Sequence, residues 1–218
     1  SGGGAAHGGG LAIIDSSNIT LQACIITNCA AFDAGNDTFG GGVYSSNSWG
    51  IMRECLIERN VVRGTVANYR CFGGGFYAEG GNWDIADSEF IYNRCISSAT
   101  GGRGFGGGLF LEGGTHVLNN SLLAQNYAKG VSDATTYSQG SGLFMTNGTV
   151  TVANCTVAGN INEGIRGFAG VSILDSIVWR NGDDIIGVTA LDHTDVGNGD
   201  NSGTNDCFAA DPRFEYGF

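Results

Sequence analysis

Proline is almost missing from this chain, at one in 218 residues. A residue without an N–H interrupts backbone pairing, so its scarcity suits long continuous ladders. Charge is sparse as well: 14% of residues are Asp, Glu, Lys or Arg, with 10 basic against 21 acidic and a net charge of −11. That balance argues against nucleic acid and anionic membrane surfaces as partners. No run approaches the 18 or so apolar residues of a spanning helix, so membrane insertion is not expected. The segments between each repeat's Asn and the next glycine show no helical periodicity. The chain opens at Ser1 without Met and reads as a processed form.

Glycine is what the chain has in quantity, 39 residues, and it is periodic. Triplets begin at Gly8, Gly40, Gly73 and Gly106, with the variant Gly140-Ser141-Gly142, at intervals of 32, 33, 33 and 34 residues. A fixed period of this size means stacked supersecondary units. Apolar positions follow each triplet in strand alternation: Leu11, Val43, Phe76, Leu109 and Leu143, then Ile13, Ser45, Ala78, Leu111 and Met145. Met52, Ile85, Leu118 and Val152 make a second inward column. A third strand ends in Asn28, Asn60, Asn93, Asn126, Asn160 and Asn181, and its last step is only 21 residues. Each longer repeat is therefore one three-strand coil carrying an insertion of 11 to 13 residues between the Asn and the next glycine.

These features predict an all-β fold, a right-handed parallel β-helix of about six coils, with inserted loops on one side and a C-terminal cap. Gly supplies positive φ at the tight turns, and Asn tolerates the same conformation while its amide bonds the next coil. Ankyrin repeats need helices and leucine-rich repeats need regular Leu columns; neither is present. The expected divisions are a lead over residues 1–7, the β-helix over 8–187 and a tail over 188–218.

The glycine triplet followed by an apolar residue, alternating with Phe90-Ile91-Tyr92-Asn93, resembles the GGA(I/L/V) and FxxN repeats of chlamydial-type polymorphic outer-membrane proteins. More broadly it is similar to the β-helix repeats of surface adhesins and pectate-lyase-like enzymes. The resemblance covers roughly residues 8–187, although the third glycine replaces the family's alanine. It implies a secreted, extracellular or cell-surface solenoid, adhesive or structural in many relatives and glycan-cleaving in some.

Candidate site residues follow from the register. Glu79 and Glu112 fall six positions after the first glycine of successive triplets, so adjacent coils set them about 5 Å apart at the backbone. Such a pair can share a proton or hold a cation, and would serve a polysaccharide lyase or glycoside hydrolase; two exposed turn residues are the plainer reading. Tyr44, Tyr77, Phe110 and Phe144 form an outward aromatic column, with Phe39, Phe72 and Phe105 just before the triplets. That column is the expected binding surface, for a protein or a glycan, unless the inserted loops bury it. Asn181-Gly182-Asp183-Asp184 resembles a polygalacturonase motif but lacks its neighbouring elements, which favours a turn. His193 lies between Asp192 and Asp195, a weak metal signal. Asp200, Asn205 and Asp206 offer oxygen ligands for calcium, without EF-hand spacing; no other cofactor is suggested.

Seven cysteines leave at least one unpaired, with Cys71 and Cys95 the most plausible pair. The leading expectation is a structural or adhesive module without catalysis, with the glycan enzyme as the alternative. The tail, with Phe208, Pro212, Phe214, Tyr216 and Phe218, is expected to fold over the last coil. The seven-residue lead has too little apolar surface to cover the first coil. A protein partner, another copy or preceding coils should therefore cover residues 1–20.

Overall fold

A computed structural model describes residues 5–33, 35–131, 138–168, 170–197 and 205–213. Every strand pairing among these residues is parallel, and the pairings join successive coils into stacked ladders of a β-helix. The first ladder follows the triplets, from Leu11–Ile14 through the first halves of Val43–Arg53 and Phe76–Ala86 to Leu109–Glu112 and beyond. The second stacks Ile19–Gln22, the second halves of the same two long strands, Thr115–Asn119, Thr149–Ala153, Val171–Leu174 and Ala190–Asp192. The third runs through seven strands from Ile25–Thr27 to Asp195–Val196.

The inward columns read from the sequence are the main core. Val43, Phe76, Leu109 and Leu143 are fully buried, as are Met52, Met145, Val152 and Val157. Trp83 is also inside, its Nε1 donating to Ser45 Oγ at 2.9 Å. Residues with positive φ mark the corners: the first glycine of each triplet, then Glu54, Asp87, Asn120 and Asn154, then Arg59, Tyr92 and Gln125. The asparagine column is therefore not itself left-handed; the bend falls on the residue before it. In the first coil this shifts the register by one, so that Cys29, not Asn28, faces Asn60 and donates its N–H to Asn60 Oδ1.

The inserted segments are strands where loops were expected. Ala30–Asp33, Val61–Gly64, Arg94–Ser97 and Tyr127–Lys129 form a fourth ladder. Ala6–His7, Thr38–Phe39, Arg70–Phe72, Arg103–Phe105 and Ser138–Gln139 form a fifth. A thin core of Ala31, Val62, Cys71 and Cys95 lies between them. Its small side chains let two strands approach closely, and they carry no large-hydrophobe alternation for a sequence reading to detect. The number of coils accordingly depends on the side: four strands in the fourth ladder, seven in the third, against the six expected.

The ladders continue past Gly187, where the repeats fade. Leu191 and Val196 are buried in the same core. Beyond them Cys207 is buried and Phe208, 48% exposed, bridges Asp195. Phe214, Tyr216 and Phe218 of the expected cap lie outside the described residues.

Candidate functional site

The aromatic column expected as a surface is a second core. His7, Phe39, Phe72 and Phe105 are in register on the fifth ladder. Tyr44, Tyr77, Phe110 and Phe144 are in register on the first. The two columns meet in the wedge between the ladders, leaving Tyr44, Tyr77, Phe110 and Phe144 only 6, 1, 2 and 4% exposed. Tyr44 and Tyr77 stack at 5.5 Å between centroids, and Phe39 and Phe72 at 5.1 Å. Each interior ring thus spends its faces on its neighbours above and below, which removes the flat platform a sugar ring would need. The fifth ladder, invisible as such in the sequence, is what covers them.

Above this aromatic floor runs a cleft of about 460 Å³ lined by Arg70, Arg103, Glu79, Glu112, Gln139 and Thr146. Glu79 and Glu112 are paired in register on one bank, as expected, and Arg70 and Arg103 are paired in register on the other. The Tyr77 hydroxyl donates to Glu112 Oε2 at 3.0 Å. Burial, reinforced by the charges of Glu112 and Glu79, raises its pKa and keeps it a donor. Arg70 holds Asp37 through Nε at 2.9 Å and Nη2 at 2.6 Å, and lies over the Phe72 ring. The cleft thus sets acidic groups opposite basic ones, with Arg70 already paired to Asp37 and Glu112 to the Tyr77 hydroxyl. Glycoside hydrolysis asks more, because its two carboxyl groups must flank the scissile bond; here both acids stand on the same bank.

The remaining candidates serve other ends. Asp184 is 3% exposed and accepts from Asn181 N and Nδ2 at 3.0 and 2.8 Å, ending the asparagine column. His116 is buried and hydrogen-bonded to Gly113 O and Trp83 N. Asn205 donates its amide to Leu191 O, and exposed Asp206 sits 3.4 Å from His193 Nε2; Asp200 lies outside the described residues. Cys71 and Cys95 are neighbours between the fourth and fifth ladders, both as free thiols.

A second groove, which the sequence reading missed, lies at the corner between the third and fourth ladders. About 630 Å³ in volume, it is lined by Phe32, Arg59, Val61, Arg63, Tyr92, Arg94, Ile96, Gln125, Tyr127 and Ile161. Three register columns build it: Arg59, Tyr92 and Gln125 at the left-handed corner; Val61, Arg94 and Tyr127; and Phe32, Arg63 and Ile96. Phe32 is 59% exposed, Tyr92 46% and Ile161 51%. Arg59 pairs with Glu58 and lies over the Tyr92 ring at 5.4 Å. Arg63 and Arg94 are exposed and have no ion-pair partner among the described residues. Three of the chain's 10 basic residues therefore share one groove. Mapping the arginines onto the Asn register would have found it.

No protein-family model, no curated protein and no solved structure matches the chain. What stands is the architecture, a parallel β-helix.

Proposed function

We propose that this chain is an extracellular or cell-surface β-helix module, structural or adhesive, that acts by contact and not by chemistry of its own. The observation that carries the reading is the corner groove, where exposed Phe32, Tyr92 and Ile161 surround Arg63 and Arg94. Aromatic residues and arginine are the side chains most enriched where proteins meet. The resemblance of the glycine and FxxN repeats to polymorphic outer-membrane proteins and surface adhesins supports the same location and role. Ile14 on the first ladder and Ile25 on the third, 55% and 71% exposed, add separate exposed apolar side chains in the first coil.

Retention of protein-coated beads tests the proposal, on immobilised extracellular protein and on immobilised polysaccharide. Retention on protein should fall about tenfold or more with Arg63→Ala, Arg94→Ala and Tyr92→Ala combined. Retention unchanged by the triple variant would defeat the reading.

A second reading has one specific observation in its favour: the carboxylates of Glu79 and Glu112 face Arg70 and Arg103 across a shared cleft. It makes the chain a glycan-binding or glycan-cleaving protein of the wider pectate-lyase-like kind. Release of reducing ends or unsaturated products from a polysaccharide, abolished in Glu79→Gln, would establish it in place of the first.

A further inference from the structure

We infer that the corner groove is a docking site for a short acidic polypeptide segment that also carries apolar side chains. The inference rests on the contact-module reading above and names the partner's chemistry. Arg63 and Arg94 supply two guanidinium groups with no ion pair among the described residues, on a chain whose net charge is −11. Elsewhere Arg53, Arg70 and Arg166 are taken up by Asp84, Asp37 and Glu163. A guanidinium pairs best with a planar carboxylate, which it can grip through two N–H groups. Arg94 is in register with Val61, and Arg63 lies two residues further along the same strand. Strand geometry therefore sets their Cα atoms about 8 Å apart, close to the ~6.7 Å between alternate residues of an extended peptide. Long arginine side chains accommodate the difference.

The rest of the lining separates a polypeptide from other polyanions. Val61, Ile96 and Ile161 are aliphatic, and Phe32 presents an exposed ring. Covering them is favourable only for a partner with apolar groups of its own, at about 25 cal/mol per Å² removed from water. A sulfated polysaccharide or a phosphate backbone would satisfy the arginines and leave that surface wet. The segment that fits is extended, with acids at two alternate positions and apolar residues at the alternate positions flanking them.

The probe is a fluorescein-labelled peptide, Leu-Ser-Glu-Ser-Glu-Ser-Leu, followed by anisotropy with the whole chain. Binding should weaken at least about tenfold in Arg63→Ala/Arg94→Ala, weaken with added salt, and weaken similarly when both leucines of the peptide become serine. The double variant should melt with the wild type, since both side chains are exposed and make no ion pair among the described residues. No binding by the wild type, equal binding by the double variant, or binding unchanged when both leucines become serine would overturn the proposal. Beads that adhere through the groove while the peptide fails would remove the acidic-segment assignment and leave the contact function standing.

Discussion

Asp184 receives two hydrogen bonds from Asn181, at 3.0 Å from its N and 2.8 Å from its Nδ2, where another coil would have offered an asparagine. The column it ends begins at Asn60 and repeats one motif. From Asn93 on, each Oδ1 takes the backbone N–H and one amide N–H of the preceding asparagine, and each Nδ2 also reaches a backbone carbonyl in the preceding coil. Buried polar groups are costly when unpaired, and here they are paired by repetition.

Replacing one member tests that. Asn126 is fully buried, accepts from Asn93 N and Nδ2, and donates to Phe90 O and Asn160 Oδ1. Asn126→Leu strands Asn93's donors and the Phe90 carbonyl, and should cost about 3–5 kcal/mol in urea denaturation. Asn154→Gly, which removes an exposed bond to Asn119 and keeps the left-handed corner unstrained, should cost about 1 kcal/mol or less.

The glycines divide by what surrounds them. A Cβ on Gly74 would lie 2.4 Å from Gly107 O and 2.5 Å from Arg94 C, both backbone, where the fourth ladder crosses the triplet. Gly80, with φ of +65°, has nothing nearer than 4.0 Å. Gly74→Ala should therefore cost about 3 kcal/mol or more, or prevent folding. Gly80→Ala should cost only the left-handed penalty, about 1–2 kcal/mol. Equal melting temperatures for the two would contradict the crossing.

Much of this fold was legible because its core is periodic. Val43, Phe76, Leu109 and Leu143 recur after glycines, and the Asn column advertises its own stacking. The fourth and fifth ladders were hidden because their inner faces use Cys71, Cys95, Val62 and glycine, residues with no strand-like contrast. That omission left the aromatics open between two readings: with no ladder visible beside them, Tyr77 and Phe110 could be a binding surface or a face covered by the inserted segments, and the fifth ladder covers them. Glu79 and Glu112 were found because register alone places them. The arginines across the cleft required the fifth ladder to be seen.

Burial lowers the pKa of His116 from its usual 6.5, only partly offset by its hydrogen bond to Gly113 O. Its neutral form is thus the folded form, while the unfolded chain protonates near pH 6.5. The stability it contributes is complete above that pH and declines as the pH falls toward the lowered folded value. Urea midpoints should drop from pH 7.5 to 5.5, and the drop should be smaller in His116→Gln. Glu163 acts in the opposite sense, since burial raises its carboxyl pKa. The difference between wild type and variant therefore isolates the histidine. An identical slope in both proteins would refute the assignment.

The double aromatic column binds the fifth ladder to the main helix, so its loss should be structural before it is functional. Phe110 touches Phe72, Tyr77 and Phe144 at centroid distances of 5.1, 5.3 and 5.0 Å and is 2% exposed. Phe110→Ala should cost about 3–5 kcal/mol, with cavity formation adding to lost burial. Phe168 packs edge-on against Phe144 at the column's end and is 63% exposed, so Phe168→Ala should cost about 1 kcal/mol or less. Hydrogen exchange should show the Phe110 variant opening first along Arg70–Phe72 and Arg103–Phe105, whose amides lose their anchor while the inner core persists. Uniform loss of protection across all five ladders would mean that the fifth ladder and the main helix unfold as one unit, and that the aromatic seam holds no separable part of the fold.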